Sequence, residues 1–297
     1  MNKLPDSGGA LTAGLLIERT AANFASADLY YGHGTDNPHD EAAALVFHVM
    51  KLDHSGTAAQ YTTVVTSDQL ADITSLAQAR VEARTPLPYL LGEAWFAGMR
   101  FHVDPSVLIP RSPIAELISA HFEPWIDAAN VRAILEIGTG SGCIAISCAT
   151  TFPAARVVAT DISADALAVA QRNVARHAVD SQVRLVATDY VDGITETFDL
   201  IVTNPPYVPS SQITGMPAEY HHEPELGLAS GADGLDSARR ILKDAARLLR
   251  PEGVLVIEVG DQWQALEEAF PQLPFNWLEF EFGGLGVGLL YASALKS

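Results

Sequence analysis

The chain has 297 residues, of which 48% are hydrophobic and 18% are charged. At roughly 100–200 residues per domain, this length predicts about two domains with sizeable cores, and the composition excludes extensive disorder. Thirty-six acidic residues against eighteen basic ones leave a formal charge of −18. Because such a charge repels phosphate groups, we expect no direct DNA binding and no anionic membrane surface as a partner.

The cysteines and the N-terminal segment favour a cytoplasmic location. Cys143 and Cys148 lie in an apolar helical run without the spacing of a zinc site or a redox pair, so we expect buried, reduced thiols and no bound metal. The apolar run at residues 11–17 is interrupted by Glu18 and Arg19, which argues against a signal peptide. No apolar stretch reaches the ~18 residues that a membrane span requires.

Residues 1–90 show helical periodicity and predict a small helical domain. A first helix is expected near residues 11–30, and two further helices are predicted by capping signals followed by apolar residues at helical spacing. These signals are Asn37, Pro38 and Asp40 before Ala42, Leu45, Val46 and Val49, and the pair Thr66 and Gln69 before Leu70, Ile73, Ala77 and Val81.

Aromatic and β-branched residues at 94–110, closed by Pro110, predict a β-hairpin within a linker over residues 91–111. From Ser112 onward, helical patterns alternate with short apolar strands, which is typical of a doubly wound α/β sheet over residues 112–297. Near the end, two strand-like runs flank Gly283 and Gly284, so we expect an antiparallel hairpin there. The predicted strands are 133–137, 157–161, 183–188, 198–203, 253–259, 275–282 and 285–292.

A glycine-rich turn follows the first predicted strand of this sheet and opens a helix. Its residues are Gly138, Thr139, Gly140, Ser141 and Gly142. Cys143 stands after the last glycine, so the glycines alternate and do not match the dinucleotide fingerprint. Such a loop can bring its backbone N–H groups against a ligand carboxylate or ribose, although a plain tight turn would look the same.

Acidic residues end the next two strands. Asp161 lies 23 residues beyond Gly138, where its carboxylate can accept both hydroxyl protons of a ribose. It could instead serve only the start of the helix that Ser163 caps. Asp189 and Tyr190 follow the third strand and offer an acceptor and a flat ring for an adenine. Together these strand ends fit S-adenosylmethionine better than NAD.

The strand at residues 198–203 ends in Asn204, Pro205, Pro206 and Tyr207, the most specific signal in the chain. Two prolines cannot continue a central strand, and a bare structural turn explains them poorly. The Asn204 side-chain oxygen and the Pro205 carbonyl can accept the two N–H groups of a planar amide or aromatic amine. This would localise the nitrogen lone pair and stabilise the positive charge that develops on nitrogen, while Tyr207 walls the planar group.

The combination of residues 136–142, Asp161, Asp189 and residues 204–207 resembles the class I methyltransferases whose target is an amide or adenine nitrogen. Residues 94–117 and 219–235 are similar to the bacterial protein-glutamine N(5)-methyltransferases. The resemblance implies a seven-stranded Rossmann-like sheet and S-adenosylmethionine. It assigns residues 138–142, Asp161 and Tyr190 to the cofactor, residues 204–207 to the glutamine, and Asn204 to both; Asp189 is added from its place at a strand end.

Two stretches indicate the branch of this family. Residues 110–114 differ from the Pro-Arg-Pro-x-Thr-Glu usual in release-factor enzymes, and residues 31–38, which include His33, resemble the branch that methylates the large-subunit ribosomal protein L-three. The negative net charge of the chain agrees with a basic ribosomal protein as partner. The alternatives are release-factor glutamine methylation, adenine N6 methylation, and a ribosome-assembly factor without catalysis. We expect residues 1–90 to recognise the substrate.

Overall fold

A computed structural model describes residues 10–53 and 57–295. The chain divides into two compact units, of which one ends at Gly92 and the other begins at Glu93. Within the described residues, no helix is long and apolar enough to cross a membrane.

The first unit is helical, and its three longer helices begin at residues whose side chains cap them. The Asn37 side-chain oxygen accepts a hydrogen bond from the Asp40 N–H at 2.9 Å, and Thr66 and Gln69 form the predicted capping box. Both predicted helix starts are therefore confirmed. The helices are α1 (Ala13–Ser26), α2 (Pro38–Met50), α3 (Ala58–Tyr61), α4 (Ser67–Ala83) and α5 (Leu87–Leu91).

The core of this unit includes a charged pair that periodicity did not predict. Ile73 and Ala77 are buried as expected, whereas Leu70 and Val81 are only half-buried. Arg80 is 1% exposed; its Nε lies 2.5 Å from Glu41 Oε1, and its guanidinium also donates to the Tyr30 carbonyl. A buried guanidinium needs such partners, since an unpaired charge is costly to bury.

The second unit begins with a hairpin that is shorter than predicted. Its strands are β1 (Glu93–Phe96) and β2 (Met99–His102), paired antiparallel, so the expectation of strand structure up to residue 110 is wrong. The Asp104 carboxylate accepts the Ser106 N–H at 3.0 Å and turns the chain. Pro105 has no N–H to continue a ladder.

A seven-stranded sheet forms the centre of this unit, in the order β5-β4-β3-β6-β7-β9-β8. The strands β3 to β7 run parallel, and β9 pairs antiparallel with β7 and β8. The doubly wound fold and the antiparallel ending are thus confirmed. The strands are β3 (Ala133–Ile137), β4 (Arg156–Asp161), β5 (Val183–Ala187), β6 (Phe198–Thr203), β7 (Leu249–Glu258), β8 (Asn276–Trp277) and β9 (Val287–Tyr291).

Helices cover both faces of the sheet, which is why its strands are apolar on both sides. Neighbouring strand residues alternate between two buried clusters, as Ile134 and Leu135 do. The free cysteines Cys143 and Cys148 are buried as predicted, and burial raises the pKa of Cys143 to about 12. The helices are α6 (Ile114–Ser119), α7 (Cys143–Thr151), α8 (Ala164–Arg176), α9 (Ser210–Ile213), α10 (Asp236–Leu248), α11 (Trp263–Ala269) and α12 (Ala292–Leu295).

Two predicted strands have a boundary that is wrong by four residues or more. β7 begins at Leu249 and not at residue 253, because Leu249 already pairs with Phe198 and the ladder then resumes after a register shift. The predicted strand at 275–282 shrinks to β8, since the N–H groups of Glu281 and Phe282 donate to the Glu116 carboxylate and leave the ladder.

Candidate active site

A cavity of about 220 Å³ opens at the carboxyl ends of the parallel strands, in the second unit. Ligands bind at this edge in doubly wound sheets. We call residues 138–142, 161, 189 and 190 the glycine-loop wall, and residues 204–207 the NPPY turn. The predicted site residues that line the cavity are Gly138, Gly140, Asp161, Asp189, Tyr190, Asn204, Pro205 and Pro206.

The glycine loop owes its shape to backbone conformations that favour glycine. Gly138, Gly140 and Gly142 all have positive φ, at 73°, 53° and 81°. A Cβ on Gly138 or Gly140 would meet no protein atom within 4 Å and would extend into open space. A Cβ on Gly142 would press on Ile146 and Ala170 at 3.2 and 3.3 Å. The first two glycines therefore keep the cavity open, and the third lets α7 pack against α8.

Three loop residues predicted from the resemblance do not line the cavity. Thr139 and Ser141 are buried, and the Thr139 hydroxyl donates to the Glu136 carboxylate. Burial raises the pKa of Glu136 to about 8. Sequence spacing identifies the loop without telling which residues face inward, so the binding roles of Thr139, Ser141 and Gly142 stay predictions.

Asp161 ends β4 and connects the glycine loop to the start of α8. Its Oδ2 accepts the Gly140 N–H at 2.8 Å, and its Oδ1 accepts the Ser163 N–H at 2.9 Å. Ser163 in turn caps α8 through the Ala166 N–H. A carboxylate offers about four acceptor sites, so two backbone bonds leave capacity for ribose hydroxyls. The helix-start role and a binding role are compatible.

Asp189 and Tyr190 lie just beyond the end of β5 and border the same cavity. The Tyr190 hydroxyl donates to Ser237 Oγ at 2.9 Å, and the Arg240 guanidinium lies 6.0 Å from the ring centroid. These contacts fix the ring, which is what a flat adenine-binding surface requires.

The NPPY turn follows β6 and forms the opposite wall. Asn204, Pro205 and Pro206 border the cavity, whereas Tyr207 does not. The Tyr207 hydroxyl lies 3.4 Å from Glu258 Oε1, and burial together with the nearby Glu258 carboxyl raises its pKa. Its predicted contact with the planar substrate group therefore stays a prediction.

Comparison with known proteins finds two matching family models and several similar relatives. The family model "Methyltransferase small domain" matches residues 117–219, and "PrmC N-terminal domain" matches residues 25–92. The ribosomal protein uL3 glutamine methyltransferase of Francisella tularensis is 44% identical over 93% of this chain and 87% of its own length. The enzyme of the same name from Neisseria meningitidis serogroup B is 42% identical over 93% and 91%.

The chain belongs to the ribosomal protein uL3 glutamine methyltransferase family. The predicted family, the methyltransferase fold and the enzymatic character of the chain are thereby confirmed. Among solved structures, the hMettl16 catalytic domain matches with a TM-score of 0.52 and 15% identity, covering 79% of this chain and 84% of that one. That likeness concerns the fold alone.

The sequence did not predict two loops that complete the site in this member of the family. Ser106, Val107 and Leu108 line the cavity from one loop, and Pro224, Leu226 and Gly227 line it from another. The Arg111 guanidinium joins these loops by a bidentate pair with Glu223, at 2.6 and 2.7 Å. Residues 94–117 and 219–235 marked the family in the sequence, but nothing in their pattern assigned them to a cavity.

No group of three or more His, Cys, Asp or Glu side chains that could hold a metal ion occurs in residues 10–53 and 57–295. The expectation of a metal-free site stays a prediction. His33, which helped to indicate the branch, is buried in the first unit with its ring edge-on to Tyr30, at a centroid distance of 6.3 Å.

Proposed function

We propose that this chain methylates the side-chain amide nitrogen of one glutamine in ribosomal protein uL3, the L-three protein of the large subunit, with S-adenosylmethionine as methyl donor. One observation carries the proposal: Asn204 and the two prolines that follow it form one wall of a cavity whose other wall is the glycine loop with Asp161. Curated relatives at 42–44% identity are named for this activity.

The glycine-loop wall fits S-adenosylmethionine. The space beyond the α-carbons of Gly138 and Gly140 is open, so a ligand can approach the backbone closely. Asp161 offers acceptors to ribose hydroxyls, and Asp189 with Tyr190 offers an acceptor and a ring to adenine. When bound there, S-adenosylmethionine would supply an electrophilic methyl group, and the bond from that methyl to sulfur would break to leave the neutral thioether S-adenosylhomocysteine.

The NPPY turn prepares the amide. The Asn204 side-chain oxygen accepts one N–H of the glutamine amide, and the Pro205 carbonyl accepts the other. These two acceptors orient the NH2 group so that its lone pair is aimed at the methyl sulfonium, and they stabilise the positive charge that develops on nitrogen. The proton is then lost to water. We propose that this step needs neither a general base nor a metal.

Recognition of uL3 is assigned to residues 1–90, and residues 112–297 supply cofactor binding and transfer. The charge of −18 supports a basic partner, because long-range attraction speeds encounter. A cytoplasmic site of action is consistent with this substrate.

The test incubates the full chain with labelled S-adenosylmethionine and, separately, free uL3, a release factor and DNA. We expect label on glutamine in uL3, and labelling slower by roughly 10²–10³ with Asn204→Ala. Label on the release factor alone or on DNA alone would instead support one of the other methyltransferase activities. If none of the three candidate substrates is labelled but the chain still binds uL3, the result would support a non-catalytic ribosome-assembly factor.

A further inference from the structure

Tyr207 is anchored away from the cavity by contacts that the reaction scheme above does not use. A Cβ on Gly260 would lie 2.7 Å from the Tyr207 ring, and one on Gly234 would lie 2.4 Å from the Tyr207 carbonyl oxygen. The ring of Tyr207 therefore packs against Gly260 and its backbone against Gly234, at positions where any side chain would collide with it. Its hydroxyl faces Glu258 Oε1 at 3.4 Å.

Glu258 connects the NPPY turn to the start of α6. It is the last residue of β7, next to β6, and is 5% exposed. Its second oxygen accepts the hydroxyl of Ser112 at 2.5 Å, and the Ser112 hydroxyl accepts the Ile114 N–H at 3.1 Å. One carboxyl group thus joins Tyr207 on one side to Ser112 on the other.

The other charged groups near this carboxyl are already engaged. The positive charge of Arg111 lowers the pKa of Glu258. Arg111 itself forms a bidentate ion pair with Glu223. The Arg111 guanidinium also lies 5.4 Å from the Tyr220 ring centroid. Glu223 additionally accepts the Ile109 N–H. Arg111 and Glu223 hold the segment that carries Ser112. Within the described part of the chain, the hydroxyl groups of Tyr207 and Ser112 donate to the Glu258 carboxyl.

We propose that Glu258 and Ser112 are positioning residues for methyl transfer, which hold Tyr207 so that the NPPY turn keeps its acceptors aligned with the glutamine amide. The proposal rests on the function proposed above. It gives a role to the segment at residues 110–114, which differs from the release-factor pattern, and to a buried carboxyl at the end of β7.

The ionisation of Glu258 supplies a distinctive signature. Burial raises the pKa of Glu258 to about 7. The hydrogen bond from Ser112 opposes this effect, so the pKa would be higher without it. The pKa of Tyr207 is raised, so Tyr207 remains a donor at neutral pH. A hydrogen bond to a charged acceptor is roughly twice as strong as one between neutral groups. The anchor is therefore strongest when Glu258 is ionised, and kcat should rise with pH through about 7.

The experiment measures kcat and KM for uL3 from pH 5.5 to 8.5, and S-adenosylmethionine affinity by calorimetry. The variants are Glu258→Gln, Tyr207→Phe, the double variant, Ser112→Ala and Ser112→Thr. Ser119→Ala serves as the matched control, because Ser119 is exposed on α6 and donates to the Ala115 carbonyl of its own helix. Asn204→Ala is measured in parallel.

We expect Glu258→Gln and Tyr207→Phe each to lower kcat about tenfold at pH 8, with unchanged cofactor affinity and no rise of kcat near pH 7. The double variant should lose no more than either single one, since both remove the same bond. Ser112→Ala should move the pH midpoint upward, because the bond that lowers the Glu258 pKa is lost. Ser112→Thr should restore it.

Wild-type kcat and an unchanged pH profile in a folded Glu258→Gln variant would overturn the inference, as would additive losses in the double variant. If Asn204→Ala still lowers turnover by roughly 10²–10³ in that case, the proposed function stands without the inference. An inactive wild-type enzyme, or full activity of Asn204→Ala, would overturn the proposed function and the inference with it.

Discussion

The two walls of the cavity are held in shape by different kinds of bond. The glycine-loop wall is a backbone structure: Gly138 and Thr139 donate their N–H groups to the Thr160 carbonyl, and Asp161 accepts the N–H of Gly140. The NPPY turn is held through buried ionisable side chains. The Tyr207 hydroxyl donates to Glu258, and the nearby Arg111 forms an ion pair with Glu223. Changes in the first wall should therefore act on ligand affinity, and changes in the second on turnover and its pH dependence.

The largest effect is expected at the NPPY turn. Asn204→Ala removes one of two acceptors aligned with the amide and should lower kcat by roughly 10²–10³, as loss of one preorganised hydrogen-bond partner does. Cofactor affinity should change little. Single-turnover rates and calorimetry measure the two quantities. If cofactor affinity fell as much as kcat, the two walls would not be separate in function.

The position of the glycine-loop wall could be predicted from the sequence, whereas the side chains that support the NPPY turn could not, for a physical reason. Gly138 and Asp161 follow strand ends, and parallel strands bring their carboxyl ends to one edge, so local sequence is enough to place them together. Arg111 and Glu223 are 112 residues apart, and Ser112 and Glu258 are 146 apart. Nothing in the local pattern of either partner indicates the other.

The same limit explains the fold-level errors. The capping signals at Asn37 and Thr66 act within one turn, so both helix starts could be predicted. The buried position of Arg80 depends on Glu41 in another helix, and the early end of β8 depends on Glu116 in α6. Such long-range contacts override local propensity, and a single sequence does not show them.

The next largest effect concerns Asp161. Replacing it with alanine should weaken S-adenosylmethionine binding by ~1.5–3 kcal/mol, the range for a hydrogen bond to a charged group, or about 10–100-fold. At saturating cofactor, kcat should stay near the wild-type value, unlike that of Asn204→Ala. Calorimetric titration gives the affinity. Because Asp161 also accepts the N–H groups of Gly140 and Ser163, Asp161→Asn is the control that retains an acceptor. An unchanged affinity in both variants would leave Asp161 only its structural bonds to the N–H groups of Gly140 and Ser163.

A further effect should appear in stability, because a buried carboxyl group with a raised pKa lies behind each wall: Glu136 behind the glycine loop and Glu258 behind the NPPY turn. Burial raises the pKa of Glu136 to about 8 and that of Glu258 to about 7, from an ordinary value of 4.5. Between pH 4.5 and these values the folded state keeps protons that the unfolded state has lost. The free energy of unfolding should therefore fall as pH rises from about 5 to 8, by roughly 2–4 kcal/mol per group.

Urea unfolding of Glu136→Gln and Glu258→Gln at several pH values tests this stability effect. Each variant should remove one group's part of the fall in unfolding free energy. The part due to Glu258 ends near pH 7, and the part due to Glu136 ends near pH 8. Glu252→Gln, at an exposed position of β7, should leave the decline unchanged. A wild-type slope in both buried variants would show that these carboxyls are ionised in the folded state.

The smallest effect should come from salt, because it acts on neither wall. The chain carries a formal charge of −18, and the Debye length shortens from ~30 Å at 0.01 M to ~8 Å at 0.15 M ionic strength. Attraction between this surface and a basic protein is screened accordingly, so kcat/KM for intact uL3 should fall several-fold over that range. Since the buried contacts of the cavity are screened far less, kcat at saturating uL3 should remain constant. A short uncharged glutamine peptide serves as the control substrate, and its kcat/KM should not depend on salt. Equal salt dependence for peptide and protein would mean that salt perturbs the cavity itself, and long-range attraction would then have no part in substrate encounter.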